Sequence, residues 1–143
     1  MDSPLRVSTG TPIVIDTSVA FKWFDRTEHG ADAAEALLRA HQADDVALIA
    51  PAHLPLEIVN ALACRRVALS DLEAAIALIG AADLLIAPLD DALLIEAARI
   101  AHTERIALYD AAFVALAAAL DAELVTADRR QATTRSCRVR LLA

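Results

Sequence analysis

Pro12-Ile13-Val14-Ile15-Asp16-Thr17-Ser18 reads as a short β-branched strand that stops on an acid. Branched apolar residues without alternation mark a strand covered on both faces, as in a parallel sheet. The residues that follow decide how that sheet is wound. Residues 17–24 suit a helical turn, and 28–43 a helix with Ala31, Ala34, Leu37 and Leu38 inward. A second strand is expected at 46–49, closed by Pro51. After it, 53–66 places Leu56, Val59, Leu62 and Ala63 at helical spacing. Ser70 with Glu73 reads as a capping box for a helix reaching Ala82. A third strand at 84–87 ends on Pro88, and a helix at 90–103 turns Leu94, Ala97, Ala98 and Ala101 inward. Tyr109-Asp110 opens a helix over 111–120; strands follow at 123–126 and 139–142.

Strands that alternate with helices imply right-handed crossovers and a parallel sheet covered on both sides. The expected fold is therefore α/β, a three-layer α/β/α domain with a central parallel sheet of four to five strands. At 143 residues the length suits one domain with one core. Residues 1–11 read as a tail and 12–143 as the domain. Hydrophobic residues make up 57% of the chain, with 3 Gly and 5 Pro, which favours an ordered, helix-rich protein.

Several function classes drop out on composition. The longest apolar run, Ala111 to Leu120, is about half of what a bilayer crossing needs. The first residues lack the apolar core of a secretory signal. Cys64 and Cys137 show no metal-ligand spacing and read as ordinary thiols in a reducing cytoplasm. The net charge is −7, and all 20 acids precede Arg129. Beyond Asp128 only bases occur: Arg129, Arg130, Arg135, Arg138 and Arg140. An acidic body with a basic end would engage nucleic acid locally.

Four acids sit where segments end or begin: Asp16, Glu57, Asp110 and Asp128. Each has a local use. Asp110 suits a helix N-cap, Asp16 a cap over Thr17 and Ser18, and Asp128 an Asx-turn. Glu57, between Leu56 and Ile58, is the weakest cap. Jointly they carry more, because ligands of open parallel sheets bind at the carboxyl ends of strands, where strand order reverses. Crowded carboxylates need a cation, and all-oxygen donors suit Mg2+ or Mn2+. Two such ions can activate a water and stabilise the leaving oxygen of a phosphodiester, although one ion with an acid as general base also fits. The four histidines, His29, His41, His53 and His102, share no spacing and read as surface or satisfied positions.

At these residues the chain resembles a PIN-domain ribonuclease of the VapC toxin type. The order is I-V-I-D-T-S-V from Ile13, E-I-V-N-A-L from Glu57, Y-D-A-A-F-V-A-L-A from Tyr109 and L-V-T-A-D from Leu124. The resemblance implies a metal-dependent endoribonuclease that cuts single-stranded regions of structured RNA, leaving a 5′-phosphate and a 3′-hydroxyl. It implies that Asp16, Glu57, Asp110 and Asp128 form the catalytic acidic quartet holding one or two Mg2+ or Mn2+ ions. Ser18, Asn60 and Thr126 become supporting polar residues, and Arg129 and Arg130 are candidates for RNA contact. The same likeness implies a cognate antitoxin, a homodimer and a cytoplasmic setting. Phe21, Trp23 and Phe24 are read either as core or as a seat for an apolar antitoxin segment.

Two other phosphate-handling classes fit poorly. Haloacid-dehalogenase-like phosphatases need a second Asp where Ser18 stands, and receiver domains need an acidic pair after the first strand and a late Lys. A PIN scaffold that binds RNA or protein without cutting is the alternative from a different class.

Overall fold

A computed structural model describes residues 8–143, so most of the expected tail lies outside the described residues. Five strands form one sheet: β1 (Thr11–Ile15), β2 (Val46–Pro51), β3 (Leu85–Ala87), β4 (Glu123–Thr126) and β5 (Val139–Leu141). Their spatial order is β3-β2-β1-β4-β5, and every pairing is parallel. Six α-helices connect and cover them: α1 (Thr17–Ala20), α2 (Ala31–Gln42), α3 (Leu54–Cys64), α4 (Leu69–Ala81), α5 (Asp91–Glu104) and α6 (Leu108–Leu120). Short 3₁₀ turns follow α1 at Phe21–Trp23 and β4 at Gln131–Thr133. The three-layer α/β/α architecture is thus the one the alternation of patterns predicts.

β1 is central, and Ile13, Val14 and Ile15 are buried as its branched sequence requires. The chain lays β2 and β3 to one side of β1, then crosses to place β4 and β5 on the other. The sense of winding therefore reverses between β1 and β4, which opens a crevice at their carboxyl ends. β1 is entered through Gly10, which has no room for a side chain. A Cβ there would stand 2.6 Å from the Val46 carbonyl carbon and 2.8 Å from the Asp44 oxygen, both backbone atoms.

α6 is the axis of one helical layer. Ala111 through Ala117 are all buried, as expected of a helix apolar on every side. Other helices differ from the sequence reading in start or phase. α2 begins at Ala31 rather than 28, because Gly30 takes a left-handed φ of 83° that ends the preceding turn. The Ser70 capping box does not form. Ala68 is the N-cap, and its carbonyl already receives the Asp71 and Leu72 amides. On α3 the inward stripe is Leu54, Ile58 and Leu62, leaving Leu56 72% exposed. On α5 it is Leu93, Ala97 and Ile100, with Leu94 and Ala98 outside. Both helices present a narrow stripe, and apolar residues spread around their sequences let several phases look amphipathic. Both cysteines are unpaired, with Cys64 exposed and Cys137 half-buried. Among the described residues no helix is long and apolar enough to cross a membrane.

Candidate active site

Asp16 follows β1 directly and is only 5% exposed. Ser18 Oγ donates to Oδ1 at 2.5 Å, and Thr126 Oγ1 donates to Oδ2. Each hydroxyl is oriented by accepting a backbone amide from the loop after β4: Ala127 N–H to Ser18 Oγ at 2.8 Å, Asp128 N–H to Thr126 Oγ1 at 3.0 Å. The ends of β1 and β4 are thereby sewn together around one carboxylate. Asp16 stands at the N-cap of α1, yet its side chain makes no capping hydrogen bond. Its two hydroxyl donors take the place of that local role.

The other acids arrive from three further segments. Glu57, in the first turn of α3, accepts Thr17 Oγ1 at 2.7 Å, with His53 Nε2 3.6 Å away. Asp110 lies within the first turn of α6 at the exposed rim; the cap is Ala107, so the N-cap reading of Asp110 does not hold. Asp128, also exposed, does form its Asx-turn, accepting Arg130 N–H on Oδ1 at 2.8 Å. That bond steadies the loop and leaves Oδ2 outside it.

Electrostatics ties the four together. Burial pushes the Asp16 carboxyl up to about 6, against the pull of the Ser18 and Thr126 hydroxyls and of the nearby Val19 amide, which bonds the Asp16 backbone carbonyl rather than its side chain, and Asp128 adds to the rise. Asp110 is raised by desolvation first, then by the charges of Glu57 and Asp128, with Arg130 and His53 opposing. Each acid therefore acts on, or feels, at least one other. The donors they present are carboxylate oxygens, the set that hard divalent cations prefer. Asp16 has spent two of roughly four lone-pair directions, so it retains capacity for a cation. Among the described residues no group of three or more such side chains stands close enough together to hold a metal ion as it is. Like charges at an exposed rim repel without a counter-ion.

The supporting residues divide. Ser18 and Thr126 bind Asp16, whereas Asn60 is exposed one turn beyond Glu57, lining a groove with Leu56 and the 66% exposed Tyr109. Arg130 acts on Asp110 electrostatically, and Arg129 is exposed beside it. The basic end is less free than its sequence implies: Arg138 pairs with Asp121 and Arg140 with Glu123, both acids flanking the start of β4. The aromatics also divide. Phe21 is core, beneath the Arg65 guanidinium at 4.5 Å. Trp23 is tied to α2 through Nε1–H to the Ala34 carbonyl at 2.9 Å. Phe24 lines a groove of 310 Å³ with Leu62, Val67, Ala74 and Leu78.

Three polar residues at this edge escaped the sequence reading. They are Thr17, His53 and Gln131. His53 and Glu57 stand four residues apart, a spacing that puts them on one helical face and was the available signal. Gln131 had none, since its partner lies on another helix.

The PIN domain family matches residues 13–136, which span β1 through the loop before β5. The chain belongs to the PIN domain family. Its parallel central sheet between helical layers is consistent with this family's fold. Solved structures of similar fold include VapBC2 from Rickettsia felis bound to a promoter DNA fragment, with a TM-score of 0.69 and 12% identity over 93% of this chain and 100% of that one. PAE2754 from Pyrobaculum aerophilum gives 0.65 and 20% identity over 93% and 92%. VapC20 from Mycobacterium tuberculosis, described as a sarcin-ricin loop cleaving toxin, gives 0.64 and 19% over 88% and 98%. No curated protein matches the chain significantly by sequence.

Proposed function

We propose that this PIN domain, residues 12–143, is a Mg2+- or Mn2+-dependent endoribonuclease and the toxin of a toxin–antitoxin pair. The observation that carries the reading is the electrostatic influence between acids of four segments, Asp128 on Asp16 and Glu57 with Asp128 on Asp110, in a sheet whose strand order switches between β1 and β4. One or two ions held there would supply the charge that activates water and stabilises a leaving oxygen of the phosphodiester. The chain's own work is to hold the acids in place and aimed. Ser18 and Thr126 fix both oxygens of Asp16, and Thr17 fixes Glu57. Arg130, next to Asp110, offers a cation to a phosphate approaching the rim.

The neighbouring structures that contain toxin–antitoxin complexes, among them one from Salmonella typhimurium bound to DNA, support a cognate antitoxin as partner. Phe24, rather than Trp23, offers the apolar seat for it, because the Trp23 indole N–H is already committed to α2. A homodimer is part of the same reading, with exposed Leu94 and Ile95 on α5 as apolar surface. So is a cytoplasmic setting, where RNA is at hand.

The test is cleavage of structured RNA by purified protein with Mn2+, compared with Asp110→Asn. The variant is expected to lose activity while keeping its fold and its circular dichroism; an equally active variant would remove Asp110 from the site. An inactive scaffold would show no quartet-dependent Mn2+ uptake by calorimetry. For RNA binding, replacing Arg129 and Arg130 together by Ala is expected to flatten the log Kd against log salt slope by about 1.4, if both contact phosphates of a single strand. An unchanged slope assigns both arginines to the solvated surface.

A further inference from the structure

We infer that His53 and Gln131 are positioning residues, which grip the first turn of α6 from two other segments and so fix where Asp110 stands relative to Glu57 and Asp128. The inference rests on the nuclease reading and deepens it. Five polar side chains are buried among the described residues: Asp16, His41, His53, Thr126 and Gln131. His41 serves the opposite part of the fold, where Nδ1 accepts the Leu48 amide at 3.1 Å and Nε2 meets the Asp83 carbonyl at 2.9 Å. The other four all bind at the acidic edge. Burying a polar group is unfavourable unless it is bonded, so their gathering there calls for a reason.

His53 Nε2 lies 3.0 Å from the Tyr109 carbonyl oxygen and 3.6 Å from Glu57 Oε1. Both neighbours are acceptors, so Nε2 carries the hydrogen. Nδ1 is buried with no hydrogen-bond partner, an expense that orientation of the other nitrogen offsets. From another segment, Gln131 Nε2 donates to the Asp110 carbonyl at 2.9 Å. Two consecutive carbonyls of α6, at 109 and 110, are thus held by side chains from two other acid-bearing segments. His53 stands at the N-cap of α3, four residues before Glu57; Gln131 is three residues after Asp128.

The composition of α6 explains why such a grip is useful. Phe113, Val114 and Leu116 anchor the middle of the helix, whereas Ala111 and Ala112, next to Asp110, leave its first turns with a smooth buried surface. Apolar burial is non-directional, and alanines offer few knobs to set rotation or register, whereas hydrogen bonds are directional. The helix is held in its layer by burial, and its first turn is aimed by His53 and Gln131.

The experiment compares wild type with His53→Leu, His53→Gln and Gln131→Met. Leu and Met remove the donor at similar bulk, and Gln at 53 returns an N–H at similar reach. Two quantities are read: Mn2+ affinity by titration calorimetry, and cleavage rate at saturating total ribosomal and transfer RNA. His53→Leu and Gln131→Met are each expected to weaken Mn2+ binding and slow cleavage by roughly 10–100-fold, with His53→Gln recovering most of the loss. If His53→Leu and Gln131→Met match wild type in both quantities, the inference is overturned. It also fails if His53→Gln is as impaired as His53→Leu, since bulk rather than the donor would then matter. A wild type that takes up no Mn2+ and cuts no RNA overturns the nuclease reading itself, and this inference with it.

Discussion

Asp16→Asn is expected to move activity and stability in opposite directions. On the proposed reading, cleavage with Mn2+ should fall by more than about 100-fold, since loss of the proposed ligand outweighs loss of a residue that merely orients one. The metal-free variant should nevertheless be more stable than wild type at pH 8. The Asp16 carboxyl titrates at about 6 in the fold, above its ordinary 3.8, so the native state keeps a proton that the unfolded chain gives up. Stability linked to that proton is complete below about pH 4 and is lost as pH rises through 6. The ionised group costs about 3 kcal/mol in the folded, metal-free protein above that window. An amide removes the charge, but one of the Ser18 and Thr126 hydroxyls then faces an N–H, returning about 1 kcal/mol. The net gain is about 2 kcal/mol at pH 8 and turns into a loss of about 1 kcal/mol below pH 4, where only the mismatched N–H remains. Urea denaturation of the metal-free proteins at pH 4, 6 and 8 checks it. A gain independent of pH would mean that Asp16 is not held ionised against burial.

Phe113→Ala carries the largest expected loss of stability. Phe113 is 1% exposed, the bulkiest of the fully buried side chains, and its ring centroid is 4.7 Å from that of His53. Removal of a buried Phe costs roughly 3–5 kcal/mol, depending on how far the surroundings relax. Here relaxation is limited, because Ala111, Ala112, Ala115 and Ala117 have no rotamers with which to fill a void. The upper part of that range is expected, a melting shift of roughly 10–15 °C in a domain of this size. Against a typical total of about 5–15 kcal/mol this threatens the fold itself. Phe113→Leu should lose less than half as much. A loss below about 1 kcal/mol for the alanine variant would show that α6 is not anchored through this ring.

The strands were legible because their signal is local. Ile13, Val14 and Ile15 are branched, contiguous and bounded by Pro12 and Asp16, and each of those facts is visible without a partner. Helix phase was less legible. Leu56 and Leu94 fitted an inward stripe by spacing and are exposed, since helices with apolar residues on several faces allow several stripes and only the neighbouring layer selects one. The capping box at Ser70 failed for a similar reason: the turn at Ala68 had already started the helix.

The sequence by itself determined the alternation that makes an α/β layer protein, and the positions of four acids at segment ends. Tertiary structure alone decided that Ser18 and Thr126 share Asp16, that Arg138 and Arg140 are neutralised by Asp121 and Glu123, and that His53 and Gln131 reach α6. The physical reason is range. Periodicity and turn chemistry act over a few residues and are written in adjacent letters. The bonds that aim the site join residues as far as 110 positions apart, and they exist only after the crossover between β1 and β4 has brought those ends together.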